Sequence, residues 1–141
     1  MKKIFIFSLL VLCTFNVQSQ ISTSYYATMN FSKISVGYDF NDRWWGDMRL
    51  FGGCDLDRLY IEPVLLYNFK AESQYSVYGG AGFSIGKYDI MAIAPLGVRV
   101  KPIQTNEHLL LHFELQPTFN FHGSDVDLYY YIGLRYLFNK N

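Results

Sequence analysis

Little in this sequence invites covalent, redox or nucleic-acid chemistry. Only two of its 141 residues are cysteine, Cys13 and Cys54. Cys13 lies in an apolar leader, so the exported chain would keep one thiol and no internal disulfide, which excludes a stapled mini-protein. Cys54 reads as an unpaired loop residue. Twelve acidic residues balance twelve basic ones, without a basic run, so charge gives no reason to expect a nucleic-acid partner. Beyond the leader, no stretch approaches the roughly eighteen apolar residues of a membrane-spanning helix. The same region has no helical period, linker or low-complexity segment. No glycine-rich phosphate loop joins a strand to a helix, and no cofactor is implied.

Residues 1–19 read as a secretory signal. Lys2 and Lys3 form its positive start, residues 4–13 its apolar segment, and Val17-Gln18-Ser19 a small-residue cleavage site leaving Gln20 first. The apolar segment is too short to span a bilayer. The expected organisation is a signal at 1–19 and one domain at 20–141.

Aromatic residues are abundant: 18 % of the chain, with twelve Tyr and twelve Phe. They fall in an alternating pattern, clearest at residues 109–122. There Leu109, Leu111, Phe113, Leu115, Pro117, Phe119 and Phe121 occupy one side. His112, Glu114, Gln116, Thr118, Asn120 and His122 occupy the other. A two-residue period is that of a β-strand. Similar alternation predicts strands at 23–31, 34–40, 44–52, 59–69, 75–86, 90–103 and 128–138. Reversals are expected at Ser32-Lys33, 41–43, 53–58, 70–74, 87–89, 104–108 and 122–127.

Eight long strands with short connections predict an all-β, antiparallel, up-and-down barrel. Its apolar set includes Leu, Ile, Val and Phe throughout. Its polar set includes Asp39, Asp47, Arg49, Glu62, Arg99, Lys101, Glu114 and Arg135. Turned apolar side inward, as in a soluble ligand-binding barrel, the strands would pack roughly forty large side chains into an interior with little room. Turned outward, those side chains meet lipid, while charges and Gly37, Gly80, Gly82, Gly86, Gly97 and Gly133 fill the lumen. Volume favours the transmembrane orientation. Phe40, Trp44, Tyr67, Phe69, Tyr75, Tyr136 and Phe138 then face outward at one end, where an interfacial girdle belongs.

Hairpin symmetry gives an expected register. It sets Glu114 opposite Arg135, Arg99 opposite His112 and diagonal to Glu114, and Arg49 opposite Glu62. These acids and bases would neutralise one another in a polar plug, leaving no aqueous channel. His112 and Glu114 share a face, but two ligands fall short of a metal site.

Val36–Trp45 (V-G-Y-D-F-N-D-R-W-W) resembles a periplasmic-turn hairpin of the small eight-stranded outer-membrane barrels, the OmpA/OmpX type in its Bacteroidota-like form. The last strand, Gly133-Leu-Arg-Tyr-Leu-Phe138, is similar to the terminal signal read by the barrel-assembly machinery. The resemblance spans the mature chain. It implies an outer-membrane location, lipid and that machinery as partners, and a structural or interaction role.

Some barrels of this size act on lipid A, and the deacylases among them use a His-x-Ser pair with an acid. His122-Gly123-Ser124 has that spacing. However, the acid expected about twelve residues on falls at Tyr136, Asp125 and Asp127 sit in the loop, and His122 points inward by parity. The segment therefore reads as a polar loop, with a lipid A-modifying hydrolase as the alternative.

Overall fold

A computed structural model describes residues 20–52 and 59–138. The expected signal at 1–19, Cys13, Cys54, the reversal at 53–58 and the tail 139–141 lie outside the described residues. The strands are β1 (Gln20–Ala27), β2 (Ser32–Asp39), β3 (Trp44–Gly52), β4 (Tyr60–Ala71), β5 (Tyr75–Ile85), β6 (Ile90–Ile93), β7 (Leu96–Val100), β8 (Leu109–Asn120) and β9 (Val126–Leu137). All pairings are antiparallel. β1 pairs with β2 on one side and with β9 on the other, which closes the sheet on itself.

The expected strand at 90–103 is interrupted at Ala94-Pro95, giving β6 and β7. Proline has no N–H to give the ladder. Both pieces nevertheless keep one register against β5 (Gly82↔Ile93, Gly79↔Leu96) and against β8 (Ile93↔Thr118, Leu96↔Leu115). The Gly80 N–H donates to the Pro95 carbonyl (2.9 Å) and the Ala94 N–H to the Pro117 carbonyl (3.1 Å). β6 and β7 thus fill one position in a closed eight-stranded barrel.

Two expected reversals move. The first lies at residues 28–31, not at Ser32-Lys33: Ala27 pairs with Ser32, and the Thr28 N–H donates to the Phe31 carbonyl at 2.9 Å. The last hairpin closes two residues early, because β9 begins at Val126, paired with Phe119. Asparagines secure several turns through side-chain oxygens. Asn41 Oδ1 accepts from the Arg43 and Trp44 N–H groups, Asn106 Oδ1 from His108, and Asn120 Oδ1 from His122. Such bonds copy a backbone turn locally, which is why asparagine is favoured there.

Burial alternates along every long strand, with charge inside. Glu114 is 3 % exposed, whereas its neighbour Phe113 is 50 % exposed. Arg49, Arg135 and His112 are fully buried, while Ile34, Met48, Leu65, Phe83, Leu115 and Ile132 are exposed. Glycines let large side chains lie against the inner wall. A Cβ on Gly133 would sit 2.5 Å from the Tyr26 ring, and one on Gly97 2.6 Å from the Tyr78 hydroxyl.

Candidate functional site

The lumen is filled from two opposed hairpins. β3–β4 contributes Trp45, Asp47, Arg49, Glu62, Val64, Leu66 and Asn68; β8–β9 contributes Leu110, His112, Glu114, Gln116, Tyr131 and Arg135. In an eight-position ring β3 faces β8, so long side chains meet in the middle. Arg49 makes a fork to Glu114, with Nη1 to Oε1 at 2.6 Å and Nη2 to Oε2 at 3.0 Å. This two-pronged geometry is what guanidinium offers a carboxylate and ammonium does not. The Arg49 Nε also donates to Asp47 (3.4 Å). Tyr78 donates to Glu114 Oε2 at 2.8 Å, and its hydroxyl lies 3.1 Å from His112 Nδ1. Tyr26 donates to Asp47 at 3.2 Å.

A second group lies toward the 28–31 end. The Lys33 ammonium donates to Glu62 Oε2 and Gln116 Oε1, each at 2.7 Å, and stands 4.0 Å from the centre of the Tyr131 ring. Ser84 donates to the other Glu62 oxygen at 3.1 Å. A third group lies toward the end that carries Gln20. There Arg135 donates to Asp47 (3.1 Å) and Asp39 (2.9 Å), over the Trp45 ring at 4.2 Å. Lys33, Arg49 and Arg135 thus each have a carboxylate partner, as buried charge requires.

The register sets Arg49 opposite Glu62 and Arg99 opposite His112, as hairpin symmetry suggested. It sets Glu114 opposite Tyr131, not Arg135, and Arg135 opposite Leu110. The early closure of the last hairpin causes this shift. Side-chain partners differ further, because long charged groups reach across the lumen instead of along one wall. Arg49 takes Glu114, and Glu62 takes Lys33. Arg99 joins neither His112 nor Glu114: its Nε donates to Ser76 Oγ at 3.0 Å, and its guanidinium lies 5.1 Å over Trp45.

Alternation puts Asp39, Asp47 and Gln116 on the polar face but gives them no partner, and Lys33 falls in an expected turn. The alternation of Ile34, Val36 and Tyr38, carried back one residue, would have turned it inward.

A vestibule of about 410 Å³ opens at the Gln20 end, lined by Asp39, Asn68, Ser76, Arg99 and Lys101 among others. At the same end the outward aromatics come together. Trp44 and Tyr67 are 4.8 Å apart between ring centres, Tyr67 and Phe69 5.6 Å, and Tyr136 and Phe138 5.2 Å. Phe40 and Tyr75 are exposed there too. Arg43, in the β2–β3 turn, donates from Nη1 to the Tyr67 hydroxyl at 2.9 Å. That bond raises the Arg43 pKa above its ordinary value. At the opposite end His122, Ser124, Asp125 and Asp127 are all exposed. Among the described residues no hydrogen bond joins the His122 ring to Ser124 or to an acid, and no three metal-ligating side chains converge.

No protein-family model matches the chain, and no curated protein matches it. A solved structure from the de novo design of transmembrane β-barrels is similar to it, with a TM-score of 0.61 and 15 % identity over 85 % of this chain and 94 % of that one. The fold is that of a transmembrane β-barrel.

Proposed function

We propose that the protein is an integral outer-membrane β-barrel with a structural or interaction role and a lumen closed by a polar plug. The inversion of burial carries this reading. Ion pairs occupy the interior, and large apolar side chains cover the outside of every strand. In water such a wall would be an aggregation surface far beyond an ordinary exposed patch. In hydrocarbon it is the stable arrangement, and closure leaves no sheet edge to satisfy.

The cluster around Phe40, Trp44, Tyr67, Phe69, Tyr75, Tyr136 and Phe138 fits an interfacial belt. On this reading membrane lipid is the permanent partner. The barrel-assembly machinery is a transient one, addressed through the aromatic end of β9. Arg49, Glu62, Arg99, His112, Glu114 and Arg135 are then bracing or mouth residues.

Spin labels at positions 113 and 114 test the orientation. Contact with detergent is expected at 113 and not at 114, and the reverse result would sink the membrane reading. Planar-bilayer recording tests the plug: silence is expected, and sustained single-channel steps would overturn it.

A further inference from the structure

The outer wall is not uniformly bulky. Across β2–β5 one row runs Tyr38, Gly46, Leu65, Ala81. Gly46 and Ala81 are outward positions with little or no side chain; the Phe40 ring covers Gly46, 3.3 Å from where a Cβ would stand, whereas Ala81 is exposed. Pro63 and Ala81 floor a groove of about 610 Å³, flanked by Tyr38, Phe40, Leu65 and Phe83. That volume falls in the usual range of small-ligand sites, about 300–1,000 Å³. The floor and flanks are apolar, so the groove fits hydrocarbon.

A cation stands near one end. Tyr67 follows Leu65 by two residues on the same face, and its hydroxyl holds the Arg43 guanidinium. Arg43 is exposed and makes no ion pair among the described residues. Its neighbour Asp42 lines the vestibule inside the mouth, not the groove. An apolar channel with an unpaired guanidinium beyond its aromatic end matches one chemistry: an acyl chain joined to a phosphate.

We propose that this groove is a specific phospholipid site, with one acyl chain lying over Pro63 and Ala81 and the headgroup phosphate on Arg43. The site rests on the membrane reading above. Guanidinium presents parallel N–H donors to phosphate oxygens, and the interfacial position lets the contact form where water is depleted. A chain seated in the groove makes the dispersion contacts that an unfilled recess in the wall would lose.

The test uses the full chain in vesicles of phosphatidylethanolamine and phosphatidylglycerol, extracted into mild detergent and weighed by native mass spectrometry. One retained phospholipid per barrel is expected. Ala81→Phe fills the groove from an exposed position, and Arg43→Gln removes the charge. Each is expected to cut retention about tenfold, the equivalent of roughly 1.4 kcal/mol. Diacylglycerol, which lacks phosphate, should be retained equally with and without Arg43. Equal phospholipid retention by all three chains overturns the site while leaving the membrane reading intact. A chain that never enters the vesicles, remaining open to protease and unchanged in heat-dependent gel migration, overturns both.

Discussion

The two hairpins β3–β4 and β8–β9 differ from the two that separate them. The first pair points Trp45, Arg49, Glu62, Glu114, Tyr131 and Arg135 into the lumen. The β1–β2 hairpin points Ser22, Ser24, Ser35 and Gly37, and β5–β7 points Gly80, Gly82, Ser84 and Gly97, relieved by Tyr26, Lys33, Tyr78 and Arg99. Long thus faces long across the ring and small faces small. A barrel this narrow could not hold long side chains from every strand. Placing them on opposed walls lets Arg49 reach Glu114 in the middle, while the small walls leave room beside the pair. Both kinds of wall hold buried polar atoms without a hydrogen-bond partner among the described residues: the Ser22, Ser24 and Ser35 hydroxyls on a small wall, and His112 Nε2, Thr118 Oγ1 and Arg135 Nε on a long one.

Substitutions on the two kinds of wall should therefore separate in size. Glu114→Ala removes the fork and leaves the buried Arg49 only its longer contact with Asp47, and is expected to cost about 3 kcal/mol, read as a lower urea midpoint in micelles. A loss under about 1 kcal/mol would mean that the opposed walls are not bound through this pair. Gly37→Val acts on a small wall by bulk alone. Its Cβ would meet Asp47, the Arg135 guanidinium and Ser22 Oγ, and the expected cost is about 1–3 kcal/mol by overpacking. The double change Arg49→Met with Glu114→Leu should recover most of the single-variant loss, since a buried pair is often replaceable by apolar side chains at about equal stability. Ser24→Ala should have the smallest effect, stabilising by up to about 1 kcal/mol because an unpartnered hydroxyl is removed. Clear destabilisation there would show that Ser24 has a partner and would narrow the contrast between walls.

The outer surface was more legible in the sequence than the inner one. Outward residues need only be apolar at every second position, and Phe113, Leu115, Ile132 and Leu134 announce that directly. Their meaning survives a shift of two residues in register. Inner partners do not survive it. Moving the centre of the last hairpin by two residues shifts its pairing by four, which takes Arg135 away from Glu114 and sets Tyr131 there instead. Nor does strand adjacency decide which groups meet. Arg49 and Glu62 are cross-strand neighbours, yet each finds its partner elsewhere, Arg49 across the lumen. Arg99 illustrates the remaining limit, because the sequence does not state where the vestibule ends and the packed interior begins. Proline chemistry accounts for the interruption at Pro95 once it is seen, but Pro63 and Pro117 lie within unbroken strands, so proline by itself does not mark the break.

The seam between β1 and β9 has a consequence for the order of assembly. With β6 and β7 counted as the one position they fill, every other ladder joins strands that follow one another along the chain, whereas this one joins Ser22 to Leu137 and Ala27 to Ile132. Hairpins can form locally and early, but a contact so distant in sequence must wait for the chain between to be organised. Arg135 sits on the last strand and holds Asp39 and Asp47, on the second and third. It works as a latch fastened only when the two ends of the domain have met, so the circle is completed and the charge neutralised in the same late step.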